Sequence, residues 1–169
     1  RSTGGLGFLE YLELAEALGA QPLYVAHVGM AEKDFVPVDQ LEPWIQDVLD
    51  AIEYANGPAT SKWGAQRARD GHPAPFHLKY VEIGNENGMG YSWGGGTRAD
   101  YLPRYKLFYH AIKSRYPDIV CIANIHTEPD APADMVDEHY YESADWFFKA
   151  ATKYDHYDRA KPKLYIGEY

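Results

Sequence analysis

The stretch Lys79-Tyr80-Val81-Glu82-Ile83-Gly84-Asn85-Glu86 decides the reading of the fold. A short, β-branched apolar run stops at a glycine, and an amide and an acid follow at once. That pattern is a buried strand that delivers Glu86 to the rim where the strand ends. The same order recurs in Leu164-Tyr165-Ile166-Gly167-Glu168-Tyr169, which delivers a second acid, Glu168.

Working outward, helix and strand alternate. Phe8, Leu9, Leu12, Ala15 and Leu18 form a helical stripe closed by Gly19, and Pro22–Ala26 reads as a short strand. A helix runs from about Gln40 to Asn56, with Asp39 and Glu42 as a capping pair and Gly57 at its end. Residues 57 to 77 read as a long surface connection with one helical turn near Trp63. A helix over Ala99–Tyr116, capped by Thr97 and stopped by Pro117, follows the Glu86 strand. Strands at Ile119–Ala123 and Met135–His139, a helix opened by Ser143, and the Glu168 strand complete the pass.

Such alternation implies a parallel sheet with crossover helices. The choice lies between a doubly wound sheet and a (β/α)8 TIM barrel. Gly4-Gly5-Leu6-Gly7 has no strand before it, and Gly94-Gly95-Gly96 lacks the Lys-Ser/Thr ending of a phosphate loop. Acids at the C-terminal ends of strands favour the barrel, whose catalytic rim lies there.

Composition narrows the function. A net charge of -9 argues against nucleic acid, and no apolar run is long enough to span a membrane. The high aromatic content, 15% of the chain, suits both core packing and a sugar-binding cleft. The lone Cys121 sits in an apolar run and reads as a buried hydrophobe; it leaves the compartment open. His126, Glu128, Asp130 and His139 lack compact metal-ligand spacing, so no metal is expected. Asp155–Asp158 reads as a solvated helix end. Glu82 alternates toward the barrel interior, where a structural role beside a buried partner is expected.

Two acids at strand ends fit glycosidic hydrolysis, in which one carboxyl protonates the leaving oxygen and the other attacks the anomeric carbon. Gly84-Asn85-Glu86 and Gly167-Glu168-Tyr169 resemble the acid/base and nucleophile motifs of clan A glycoside hydrolases. Glu42–Gly64, Leu78–Gly88 and Asp137–Tyr169 are most similar to glycoside hydrolase family 51, the α-L-arabinofuranosidases, with Asn56-Gly57-Pro58 and Ser61-Lys62-Trp63-Gly64 typical of that group.

The resemblance implies Glu86 as general acid/base, Glu168 as nucleophile and Asn85 as the partner of the sugar C2 hydroxyl. His139 and either Tyr140 or Tyr141 would flank nucleophile and sugar, with Tyr141 the expected contact. Trp93 is a candidate sugar platform and His27 a candidate subsite contributor. The reaction expected is retaining release of terminal α-L-arabinofuranosyl residues from arabinoxylan, arabinan or related arabinose-containing oligo- or polysaccharides, with no cofactor. Another clan A specificity (xylosidase or endoglucanase) and a noncatalytic sugar-binding or inert barrel stand as alternatives.

Counted against the family, the strands are the third to the seventh. Residues 1–169 are then expected to form one partial barrel domain lacking strands one, two and eight, without the accessory β-sandwich, poorly soluble and weakly active alone. Homo-oligomers are common in that family, though no stretch of this sequence identifies an interface.

Overall fold

The computed structural model describes residues 5–169; Gly4 of the first glycine group lies outside them. Five strands form one sheet: β1 (Leu23–Ala26), β2 (Tyr80–Ile83), β3 (Val120–Ala123), β4 (Met135–His139) and β5 (Lys163–Glu168). Every pair is parallel and the spatial order is the chain order, β1-β2-β3-β4-β5. No reversal of order occurs among these strands, and such a reversal is the mark of a doubly wound sheet.

The register assigns the faces. Tyr24 pairs with Val81, Val81 with Cys121, Ala26 with Ile83, Ile83 with Ala123, and Ala123 with Val136. These side chains share one face and join the main apolar core or pack against it. The helices that cover them are α1 (Phe8–Ala17), α2 (Glu42–Asn56) and α4 (Arg98–Arg115), which contribute Leu12, Ile45, Val48, Ile52, Tyr101, Tyr105, Phe108 and Ile112. Cys121 is fully buried here, and burial pushes its thiol up to about 12, as suits an inert apolar filler. The opposite face carries Val25, Glu82, Ile122, Asp137 and Tyr165, and Val25 is 45% exposed there.

Two local expectations are corrected. The connection over residues 57–77 holds an eight-residue helix, α3 (Lys62–Arg69), whose start is capped by Ser61 accepting from the Gly64 N–H. Its polar sequence hid it, because the residue it buries is Arg67. That guanidinium is wholly enclosed and donates to the carbonyls of Tyr54, Ala55, Gly57, His72 and Pro73. Asp39 and Glu42 do not form a cap. A 3-10 turn over Val38–Gln40 leads into α2, and buried Leu41 stands at the N-cap with no side-chain bond. Pro43 falls in the first helical turn, where a missing N–H costs nothing.

At the other helix starts, Ser143 accepts from the Trp146 N–H before α5 (Ala144–Lys149), and the Thr97 N–H donates to Asp100 at 2.8 Å before α4. Residues 155 and 156 close a run of turns beyond α5, and 157 and 158 follow in irregular chain rather than at a helix end. No helix among the described residues is long and apolar enough to cross a membrane.

Candidate active site

Beyond β2 the chain turns sharply at Gly84, with φ 90°, and Glu86 itself takes φ 54°. A non-glycine residue in this left-handed region is strained and persists only where its surroundings fix it. Strand alternation therefore does not extend to Glu86; hydrogen bonds place it instead. The Asn85 N–H donates to Asn87 Oδ1 and the Asn87 N–H to Asn124 Oδ1, each at 3.1 Å. Asn124, just past β3, also donates through Nδ2 to Glu82 Oε1 at 2.7 Å and to the Gly84 carbonyl at 3.3 Å. A Cβ on Gly84 would stand 2.5 Å from Asn87 Oδ1, so the turn requires glycine twice, for its angle and for this approach.

On β4, Asp137 and His139 share the face that carries Glu82, and a register shift between Glu138 and His139 sets His139 opposite Glu168. His139 Nδ1 lies 3.0 Å from Glu86 Oε1, and Nε2 lies 2.7 Å from Asp137 Oδ2 and 3.5 Å from Glu168 Oε1. One ligand-type atom each from Glu86, His139 and Glu168 falls within 4.8 Å of the other two. Three such groups have the spacing to hold a cation. Here both ring nitrogens stand at hydrogen-bond distance from carboxylates, of Glu86 and Asp137.

Charge follows from this crowding. Burial pulls the His139 pKa down, but hydrogen bonds with Glu86 and Asp137, and the charges of Asp137 and Glu168, outweigh it and raise it overall. Burial pushes Glu82 up to about 8, reinforced by the charge of Asp137 and a hydrogen bond shared with it. The buried partner expected for Glu82 is thus the pair Asn124 and Asp137.

The remaining sequence candidates separate. Tyr141 is 72% exposed and its hydroxyl donates to Glu168 Oε2, whereas Tyr140 turns away to share Glu138 with Tyr154 and to pack on Trp146. Asn85 is exposed at the rim, and its side-chain amide makes no hydrogen bond among the described residues. Trp93 is half exposed and stacks on Tyr91 with ring centroids 5.3 Å apart. His27 is not drawn into the cluster; its Nδ1 accepts the Gly29 N–H within its own loop. Of the loop acids, Glu128 pairs with Arg98 and Asp130 with Lys106.

Sequence reasoning passed over Asp137, Asn124 and Tyr91. Burial raises the Tyr91 pKa, and the charges of Glu86 and Glu168 add to that. Its only signal in the sequence was its place beside Trp93. A larger cavity, about 680 Å³, opens between α1, α2 and α3, lined by Phe8, Leu9, Asp47, Tyr54, Trp63 and Asp70, away from the strand ends.

The arrangement can hold a proton on one acid while the other, beside it on the same rim, attacks an electrophilic carbon. The family described as Alpha-L-arabinofuranosidase 1 domain matches residues 1–159. An extracellular exo-α-L-arabinofuranosidase of Streptomyces chartreusis is 41% identical over 98% of the chain and 21% of its own length. Alpha-L-arabinofuranosidase 2 of Arabidopsis thaliana is 40% identical over 98% of the chain and 24% of its own length. Among solved structures, the arabinose-bound MgGH51 α-L-arabinofuranosidase superposes with a TM-score of 0.88 at 34% identity, covering 99% of this chain and 26% of that one. The arabinose complex of the Thermotoga maritima enzyme gives 0.67 at 25% identity over 90% and 32%. The chain spans about a quarter of the length of the curated relatives it matches. With the family match covering nearly its whole length, the chain belongs to the α-L-arabinofuranosidases of glycoside hydrolase family 51.

Proposed function

We propose that this chain carries the catalytic centre of a retaining glycoside hydrolase that releases terminal α-L-arabinofuranosyl residues from arabinose-containing oligo- or polysaccharides. The observation that carries the reading is the approach of Glu86 and Glu168, with carboxylate oxygens within 4.8 Å of each other at the ends of two strands. Retaining enzymes hold their two carboxyl groups about 5–5.5 Å apart.

In this reading Glu168 attacks the anomeric carbon and the C–O bond to the aglycone breaks as Glu86 gives its proton to the leaving oxygen. Glu86 then takes a proton from water, whose oxygen displaces Glu168 and frees arabinose. The Tyr141 hydroxyl on Glu168 holds the nucleophile, and the unpaired Asn85 amide meets the C2 hydroxyl. The Trp93–Tyr91 stack offers a face for the next sugar, and the solvated position of His27 leaves it at most an outer contact. No cofactor takes part.

The five strands are, in the same proposal, the third to seventh of an eight-stranded barrel, and residues 1–169 belong to that one catalytic domain. Consecutive parallel order, and a sheet face left partly open at Val25, support this count.

The test uses the full-length protein containing this chain, with aryl α-L-arabinofuranoside as substrate. Glu168→Ala is expected to abolish turnover, and azide to restore it with formation of an inverted glycosyl azide. Wild-type turnover by Glu168→Ala overturns the assignment. Faster hydrolysis of aryl xylosides or glucans than of the arabinofuranoside overturns the substrate class while leaving the two acids in place.

A further inference from the structure

Behind the two acids of the rim lie two more, Glu82 and Asp137, both buried, which the reaction does not itself consume. Asp137 is the junction. Its Oδ1 accepts the Gly167 N–H at 2.8 Å, and its Oδ2 stands 2.7 Å from His139 Nε2. Gly167 directly precedes Glu168, and the other nitrogen of His139 reaches Glu86 at 3.0 Å. The contact with Gly167 exists only because that residue lacks a side chain: a Cβ there would lie 2.6 Å from Oδ1 and 2.7 Å from Oδ2.

We propose that Asp137, backed by Glu82, is a positioning residue of the hydrolytic site, tying the strand end that carries Glu168 to the imidazole that reaches Glu86. The inference rests on the reading of Glu86 and Glu168 given above and extends it one layer inward.

Glu82 supplies the support. Two carboxyl groups can share a hydrogen bond only if one of them carries a proton. Burial, the charge of Asp137 and hydrogen bonding with it raise the Glu82 pKa, and Asn124 donates to Glu82 Oε1 at 2.7 Å. Both Asp137 oxygens face nitrogens, the Gly167 N–H and His139 Nε2, so the raised pKa of Glu82 makes it the proton carrier of the pair in this proposal. A protonated Glu82 can donate to Asp137, and Asp137 in turn holds His139 through the 2.7 Å contact at Nε2. The groups facing His139 are Glu82 on β2, Glu86 beyond it, Asp137 on its own strand and Glu168 on β5. Tyr165, Tyr91 and Tyr141 stand around the same acids.

The experiment compares isosteric variants in the full-length enzyme on an aryl α-L-arabinofuranoside. Asp137→Asn offers one acceptor oxygen where two are used, so either Gly167 or His139 is released. The expected result is a fall in kcat of about 10²-fold with KM little changed, the scale of an ångström-level misplacement. The alkaline limb of the kcat/KM profile should also move to lower pH, because His139, whose pKa the charge of Asp137 helps to raise, loses that support.

Glu82→Gln reproduces a protonated carboxyl, donating to Asp137 and accepting from Asn124, so it should keep most of the rate that Glu82→Leu loses. A wild-type kcat and pH profile for Asp137→Asn overturns the proposal, as does equal loss in Glu82→Gln and Glu82→Leu. Glu168→Ala, run alongside, separates the two levels: if it stays active the reading of the site has failed, whereas a dead Glu168→Ala with an unaffected Asp137→Asn rejects the positioning role alone.

Discussion

Tyr101 donates its hydroxyl hydrogen to the Ile83 carbonyl oxygen at 2.6 Å, in a wholly buried position beneath the turn that carries Glu86. The same hydroxyl accepts the Asn124 N–H at 3.2 Å, so one side chain of α4 fixes the ends of β2 and β3 together. Tyr101→Phe leaves a buried carbonyl and a buried N–H without partners. A loss of about 1–3 kcal/mol is expected, read as a lower denaturant midpoint with unchanged m.

Arg67 joins α3 to the carbonyls that end α2 and the following loop. Arg67→Met fills the space but strands those acceptors, and should cost about 3 kcal/mol in urea unfolding. Arg67→Lys, with three donors for five carbonyls, should recover only part of it.

Stability should fall as pH rises from about 5 to 8. The folded protein holds a proton on Glu82 up to about 8, whereas the unfolded chain releases it near 4.5, so the folded state binds more protons across that window. His139, whose pKa is also raised, contributes with the same sign, its share being lost as pH climbs through its folded value. The slope is at most about 1.4 kcal/mol per pH unit for one group. Unfolding curves of Glu82→Gln should be flatter over this range; an equally steep curve would remove Glu82 as the cause.

Gly167→Ala forces a methyl group against both Asp137 oxygens. Hydrolysis of the aryl arabinofuranoside should drop sharply in kcat, by about 10²-fold if the strand end shifts by an ångström. Substrate-level KM is the control that should stay close to wild type.

Residues 1–169 on their own should self-associate. β1 and β5 stand at the two ends of the sheet order, and Val25 is exposed on its open face. Sedimentation velocity is expected to show species larger than a monomer, and a discrete monomer would contradict this.

Much of the fold could be read from local pattern. The apolar runs at Val81–Ile83 and Ile119–Ala123 end where the strands end, and Thr97 and Ser143 mark their helix starts. α3 escaped because its buried face is a guanidinium, which no hydropathy pattern registers. At the site, the position of Glu86 and Glu168 at strand ends was legible. The junction at Asp137 was not, since it depends on which residues of β2, β4 and β5 stand side by side. Nor could strand periodicity foresee the turn at Glu86, where the backbone leaves the strand and a web of Asn85, Asn87 and Asn124 takes over. Tyr140 and Tyr141 were indistinguishable as letters; only the structure gives Tyr141 to Glu168.

Because each strand bonds only to the strands before and after it in the chain, the sheet can be laid down in the order in which a ribosome delivers it. Each arriving strand finds its template finished, and the strand carrying Glu168 is the last of these to dock. An assembly interrupted before residue 163 would thus hold Glu86 without its counterpart Glu168, and the two acids come together only when the last of these strands is in place.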